Sequence, residues 1–348
     1  MLFIYLIRKF LVMIFITSLI PSMALAAQIL TYTDHEPLGG MRTRFINDVF
    51  FPAIERESNG RLKIEAHWGG EIATGYKALG VIGEGHSADM GIVVPEYVSH
   101  ALPLHQIFKS FPIGPAGDKQ IAFFRQVYSD IPDFPAELQK EKVINLFFAT
   151  GFPVAFLSSE PLNTLDDING GKWRSASFWH QDFLRNAGAI PVTMPWGEGV
   201  YKALKDGSLN GLMVNMDSGY DINAHEAAPN VVVSRDLWLG HVYLLVINEN
   251  TWNRLAKEDR EAIQRAAESA YKTLGSVMDN SFNGMVAEMQ KKGVKIRILA
   301  SKEVWQWEAA SRYQDVQASW VREQEGKSIK NAGSVLEKVR SIMNDSTK

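Results

Sequence analysis

The chain of 348 residues contains no cysteine. Disulfides, thiolate metal sites and cysteine nucleophiles are excluded together, and so is attachment through a lipid on an N-terminal cysteine. Eight histidines are present, yet none forms HExxH or HxH, and His100 and His105, five apart, fall off one helix face. No G-x-S-x-G elbow, S-x-x-K or G-x-x-x-x-G-K loop occurs, so nucleophilic hydrolysis and nucleotide use lack their usual marks. Gly83 and Gly85 follow a helical stretch and do not continue into a dinucleotide fingerprint. Adjacent Asp166 and Asp167 project in different directions, which suits the start of a short helical turn better than an acid and base pair. The sequence calls for no metal and no cofactor. Basic charge is scarce as well: the formal net charge is −3, which gives nucleic acid no footing.

What is present begins with a leader. Arg8 and Lys9 are the only charges before an apolar run from Phe10 to Ile20, and Ala24-Leu25-Ala26 supplies an A-x-A cleavage site. This predicts a secretory signal over residues 1–26, cut before Ala27. An uncleaved anchor is the alternative, but the apolar run is roughly half the ~20 residues a spanning helix needs. Losing Arg8 and Lys9 takes the net charge from −3 to −5. An exported chain without disulfides must rely on its core, and 46% hydrophobic residues is an ordinary globular value. Its length favours two domains over one.

Period and punctuation predict an α/β chain. A first strand over Ile29 to Thr33 stops at Asp34-His35-Glu36-Pro37 and Gly39-Gly40. A helix with Phe45, Val49, Ala53 and Ile54 on one face then ends at Asn59-Gly60, and Arg61 to Trp68 alternates as a half-buried strand. Strand, helix, strand with short links is a parallel unit. The pattern recurs through strands at 89–94 and 143–149 and helices at 76–84 and 120–128. From Phe152 a second unit follows, with strands at 154–158, 172–175, 190–193 and 211–214 and helices at 179–186 and 199–205. Tyr243 to Ile247 is a continuous apolar strand, and Lys257 to Lys292 is one long helix or two nearly in line. A strand at 294–298 and a terminal helix at 304–323 must pack back onto the earlier lobes. No solenoid repeat or low-complexity linker is found.

Within Leu162 to Leu212 one arginine, Arg174, ends the short strand-like Lys172-Trp173-Arg174. A guanidinium is permanently charged and forks onto carboxylates, so at a strand end facing a cleft it suits capture of an organic acid. On residue type alone, an ordinary salt-bridged arginine is the commoner case. Alternation puts Trp173 on the opposite face of the strand, toward the core.

The same region resembles the periplasmic solute-binding subunits of tripartite ATP-independent periplasmic (TRAP) transporters, of the dicarboxylate-binding type. Leu162-Asn163-Thr164-Leu165-Asp166-Asp167-Ile168 through Lys172-Trp173-Arg174 is similar to that family's "L-x-T-L-x-D-L-x-G-x-K-x-R". Gly188-Ala189-Ile190-Pro191 and Met194-Pro195-Trp196-Gly197-Glu198-Gly199-Val200-Tyr201 are similar to its "G-A-x-P-x-x-M-x-F/W-x-E-V-Y". Further out, Asn59-Gly60-Arg61-Leu62-Lys63-Ile64 and Leu245-Val246-Ile247-Asn248 with Thr251-Trp252 fit the pattern too. Together these pieces span nearly the whole chain after the leader.

The resemblance implies a two-lobed periplasmic binding protein of the type II-like α/β fold, with a ligand cleft between the lobes and crossing strands and a long helix as hinge. We expect one lobe to take residues 27–150 plus 241–280 and the other 151–240 plus 281–348. Arg174 would pair with a ligand carboxylate and Trp196 would wall the pocket, while Glu198 and Tyr201, at a helix start, would serve the fold. The partners implied are a small organic acid and the integral membrane subunits of a TRAP permease, in the periplasm. Gly199 looks inserted, the family's asparagine after "D-G" is absent or displaced to Asn215, and Phe152-Pro153 stands where sialic-acid binders carry a second arginine. Fewer polar groups and more aromatics suit a monocarboxylate with an apolar or aromatic body.

Other candidates rest on position. Asp34 and His35 lie at a strand end, where ligands approach α/β folds. Trp68 and Tyr97 follow strands. Trp238, His241 and Tyr243 stand where they could cover a ligand on closure, and Phe152 marks the entry to the second lobe. Two rival functions stay open: a secreted bilobal enzyme, for which only Asp34, His35 and Glu36 offer acid and base, and a ligand-sensing module acting with a membrane receptor.

Overall fold

A computed structural model describes residues 27–347, and the leader expected over residues 1–26 lies outside them. Two sheets organise the chain. The strands are β1 (Gln28–Thr33), β2 (Leu62–His67), β3 (Met90–Val93), β4 (Val143–Thr150), β5 (Val154–Ser158), β6 (Lys172–Arg174), β7 (Ile190–Val192), β8 (Gly211–Asn215), β9 (Asn230–Val233), β10 (Val242–Asn248) and β11 (Lys295–Ile298). One sheet runs β2-β1-β3-β10-β4 and the other β11-β9-β5-β8-β6-β7.

The β1 to β2 unit is parallel, as its strand, helix, strand order requires. Its crossover is continuous helix, with a π-helical turn over Ile46–Phe50 between Met41–Phe45 and Phe51–Glu57. Edge strand β2 alternates more and less covered residues from Leu62 to Ala66, whereas β3, β5, β8, β9 and β10 are buried throughout. That is why the latter read as unbroken apolar runs.

The chain passes between the sheets three times: at residues 151–153 between β4 and β5, at 234–241 between β9 and β10, and through the helix Lys257–Lys291 that leads to β11. This helix is single and unbroken over 35 residues, about 52 Å at 1.5 Å per residue. Gly275 does not interrupt it. A Cβ there would lie 1.9 Å from Asp118 Oδ1, so the glycine lets the start of helix Gly117–Asp130 pack directly against the long helix.

The C-terminus departs from expectation. The helix foreseen over 304–323 is two helices, Ser301–Ser311 and Tyr313–Gly326, broken at Arg312, whose φ of 47° is left-handed. A further helix, Ala332–Ser346, buries Val335, Leu336, Val339, Ile342 and Met343. It packs on helix Gly117–Asp130. The helices Asp133–Lys140, Met216–Asp221 and Ala224–Ala227 and strand β9 were not anticipated. No helix among the described residues is long and apolar enough to cross a membrane.

Candidate functional site

The site assembles where both sheets end. Strand β1 delivers Tyr32, Asp34, His35 and Glu36. Arg42, on the following helix, reaches back across the Gly39-Gly40 turn: Nη1 donates to Asp34 Oδ2 at 2.7 Å, and Nη2 donates to Asp34 Oδ1 at 3.0 Å and Glu36 Oε2 at 2.7 Å. Tyr32 Oη donates to Asp34 Oδ2 at 2.6 Å, and Tyr243 Oη to Glu36 Oε1 at 3.1 Å. The Arg42 guanidinium lies 4.2 Å above the Tyr243 ring. Burial raises the Glu36 carboxyl, but Arg42 outweighs it and holds the group below its ordinary range. Asp34, expected at the ligand, is therefore the counter-ion of Arg42. Both carboxylates that could have served an acid and base role are committed to that arginine.

A second buried group forms around Glu96, in the 3₁₀ helix Pro95–Val98. Lys109 Nζ pairs with Glu96 Oε2 and lies 3.0 Å from His241 Nδ1. Burial lifts the Glu96 carboxyl, yet the Lys109 ammonium beside it brings it down to about 2. Burial pushes His241 and His180 down to about 3, with the Lys109 charge adding to the effect. Next to Glu96, Tyr97 stands edge-on to His35 at 5.7 Å and packs on Tyr76 at 4.7 Å. Gly75 makes room for this stack, since a Cβ there would meet Tyr97 at 2.8 Å and His35 at 3.2 Å.

Arg174 arrives from the second sheet. Strand β6 pairs in parallel with both β7 and β8, and its alternation buries Trp173 against Phe156 and turns Arg174 the other way. Nε and Nη2 of Arg174 donate to the Met194 carbonyl at 3.2 and 3.1 Å, and the guanidinium lies 4.9 Å from the Trp196 ring. Only 3% of Arg174 is exposed. Burial lowers its pKa, while Glu96, Tyr97 and Tyr76 act in the opposite sense across the cleft. Arg42, Lys109 and Arg174 are the buried arginines and lysines among the described residues. The first two are neutralised by carboxylates. Arg174 has a carbonyl and an aromatic face instead, and no ion pair among the described residues.

Of the residues singled out in the sequence, Arg174, Trp196, His35, Tyr97, Asn215 and His241 come together here. Asn215 closes β8, where its Nδ2 donates to Asp217 Oδ1 and, at 2.7 Å, to Ser218 Oγ. Three others pack on the core. Trp68 packs on Tyr32 and Phe51 at the edge of the first lobe's core. Trp238, expected over the ligand, is 2% exposed, stacks on Phe124 and donates its indole N–H to the Phe108 carbonyl at 2.6 Å. Phe152 is buried edge-on against Phe282. Trp238 and Phe152 are large apolar rings at the crossings between the sheets, and burial there claims them for the core, whereas Trp68 is half-buried. Arg42, Glu96, Lys109, His180 and Tyr76 were not singled out. The one signal for Arg42 is an arginine eight residues after Asp34 across a Gly-Gly turn. Glu198 pairs with Lys202 at 2.9 Å on an exposed helix face, which is a role in the fold.

Comparison with known proteins shows the family and the fold. The family model described as bacterial extracellular solute-binding protein, family 7 (DctP) matches residues 47–319. A solute-binding protein of Chromohalobacter salexigens is 27% identical over 62% of this chain and 61% of its own length. The chain thus spans about six-tenths of that curated relative. Among solved structures, a TRAP solute-binding protein from Rhodoferax ferrireducens in complex with copurified benzoate superposes with a TM-score of 0.78 at 17% identity, over 92% of this chain and 99% of its own. A marine-metagenome TRAP solute-binding protein specific for aromatic acids, in complex with 3-hydroxybenzoate, gives 0.78 at 19% identity, over 93% and 100%. These two likenesses establish the two-lobed fold.

Proposed function

Because the chain belongs to the bacterial extracellular solute-binding protein family 7, we propose that it captures a small organic acid in the periplasm and delivers it to the membrane subunits of a TRAP permease for secondary active uptake. The observation that carries this reading is Arg174, a buried guanidinium without a carboxylate partner among the described residues, in a cleft whose other buried cations are paired. A ligand carboxylate supplies the missing charge, and closure around it excludes water. The leader over residues 1–26 accounts for export. The family consists of binding proteins, and the commitment of Asp34 and Glu36 to Arg42 weighs against the enzyme alternative.

The aromatic surroundings of Arg174, with Trp196, Tyr97, Tyr76 and His35, favour a ligand with a flat or apolar body. Benzoate and 3-hydroxybenzoate, bound by two of the similar proteins, are the first probes. In titration calorimetry Arg174→Ala is expected to lose about 2–5 kcal/mol of affinity for any acid the wild type binds. Arg174→Lys keeps the charge without the fork and should fall between. Unchanged affinity in the alanine variant would remove Arg174 from the clamp role.

A further inference from the structure

We infer that Arg235 is a hinge clamp: it grips the long helix at the turn where that helix passes from one lobe to the other, and so sets the resting arrangement of the lobes from outside the cleft. This role is independent of the acid the cleft takes.

In the helix Lys257–Lys291, Met278 packs in the apolar cluster around β1, β3 and β10, whereas Phe282, one turn on, packs in the cluster around β5, β8 and β9. The helix therefore changes cores over residues 279–281. Arg235 brackets that stretch: Nη1 donates to Asp279 Oδ1 at 2.6 Å, Nη2 donates to Asn283 Oδ1 at 2.9 Å, and the guanidinium lies 5.4 Å from the Phe282 ring. Residues four apart stand one above the other on a helix face, so the fork spans one full turn.

Arg235 itself opens the second passage between the sheets. It follows the end of β9, and by Leu237 the chain is bridged to Ile113 in the segment between β3 and β4. The first passage reaches the same turn of the helix, since Phe152 meets Phe282 edge-on at 5.9 Å and Thr150 Oγ1 donates to Met278 Sδ at 2.9 Å. All three passages meet at residues 278–283, and Arg235 joins two of them by charge-assisted bonds.

An exposed ion pair alone is worth little. Here a carboxylate, an amide and a ring act on one guanidinium, and such bonds weaken steeply once donor and acceptor tilt or move apart. Packing at this point is incomplete: a crevice of about 20 Å³ lined by Phe152, Trp238, Met278 and Phe282 has room for one water. None of Arg235's partners belongs to the Arg174, Arg42 or Glu96 groups. Apparent affinity includes the free energy of reaching the closed arrangement, so a clamp here adjusts affinity without touching the ligand.

The absence of cysteine lets a spin-label pair be placed through Lys63→Cys on β2 and Lys205→Cys on the helix Glu198–Lys205, one in each lobe. Pulsed electron resonance on the whole chain after the leader, without any acid, then reads the interlobe distances. Arg235→Ala should enlarge the share of the distribution outside the wild-type peak about three- to tenfold. Asp279→Asn, which nearly keeps the side-chain volume, should reproduce that change and carries the test if the alanine variant unfolds. Arg235→Lys keeps a charge for Asp279 without the fork and should fall between. As a control, Arg125→Ala breaks an ion pair with Glu268 of the same helix inside the first lobe and should leave the distribution unchanged. A wild-type distribution in Asp279→Asn or in a folded Arg235→Ala, or equal broadening in Arg125→Ala, overturns the inference. With no acid present, that outcome leaves the carboxylate reading at Arg174 untouched.

Discussion

Asp217 shows how far a single residue's chemistry depends on its neighbours. It follows Asn215 at the start of helix Met216–Asp221, and burial raises its carboxyl to about 7, with the Glu36 charge across the cleft adding to the shift. A carboxyl whose folded pKa lies above its unfolded one binds its proton more tightly when folded. That contribution is complete below the unfolded value near 4 and is lost as pH rises through about 7. Asp217→Asn should therefore gain stability relative to wild type between pH 5 and pH 8, read as the difference in Tm at the two values. A difference that stays flat across that window would show that Asp217 titrates normally. The depressed imidazoles of His180 and His241 act in the opposite sense as pH falls below about 6.5, but they are common to both proteins and cancel in the comparison. At this scale Arg174 was legible because a strand-end arginine sits inside a recognisable phrase. Arg42, Glu96, Lys109 and His180 were not, because each stands on a different element and only packing brings them into one charge network.

Asn248 joins two elements with one side chain. Its Oδ1 accepts from the Thr251 backbone N–H at 3.0 Å, capping helix Glu249–Arg254, while its Nδ2 donates to the carbonyls of Ile82 and Gly83 at 2.9 and 3.0 Å, at the end of helix Ala78–Glu84. This explains why an asparagine ends the Leu245-Val246-Ile247-Asn248 phrase. Asn248→Ala removes a cap and strands buried carbonyls, and should cost about 2–4 kcal/mol in urea unfolding. Asn248→Asp keeps the acceptor but sets a carboxylate oxygen against those two buried carbonyls, so it should be no better than alanine. Elements with a sustained period were readable in advance: β5 falls at the predicted residues, and Lys257–Lys291 ends one residue short of the prediction. Strand β9 is a four-residue buried run, too short to carry a period. The break at Arg312 escaped because no glycine or proline marks it, and the left-handed residue is an arginine.

For the whole molecule, the three passages between the sheets set what can move. The chain crosses at 151–153 and 234–241, and the long helix contacts elements of both lobes. His241 and Tyr243 lie on or beside the second crossing, next to the Arg42 group, so the cleft and the hinge share residues. Ligand binding is expected to close the cleft and lower the radius of gyration in small-angle scattering, with Arg174→Ala remaining at the unliganded value in the same acid. Identical profiles with and without a bound acid would mean that the site fills without closure. The sequence by itself determined the α/β class, the order of most strands and the candidate guanidinium, because period, turn residues and motif order are local properties. Tertiary structure alone decided which charges are paired. Asp34 and Glu36 are taken by Arg42, Glu96 by Lys109, and Trp238 and Phe152 by the core. Among the described residues Arg174 is left as the unpaired buried cation, because pairing depends on distances between elements far apart in the chain.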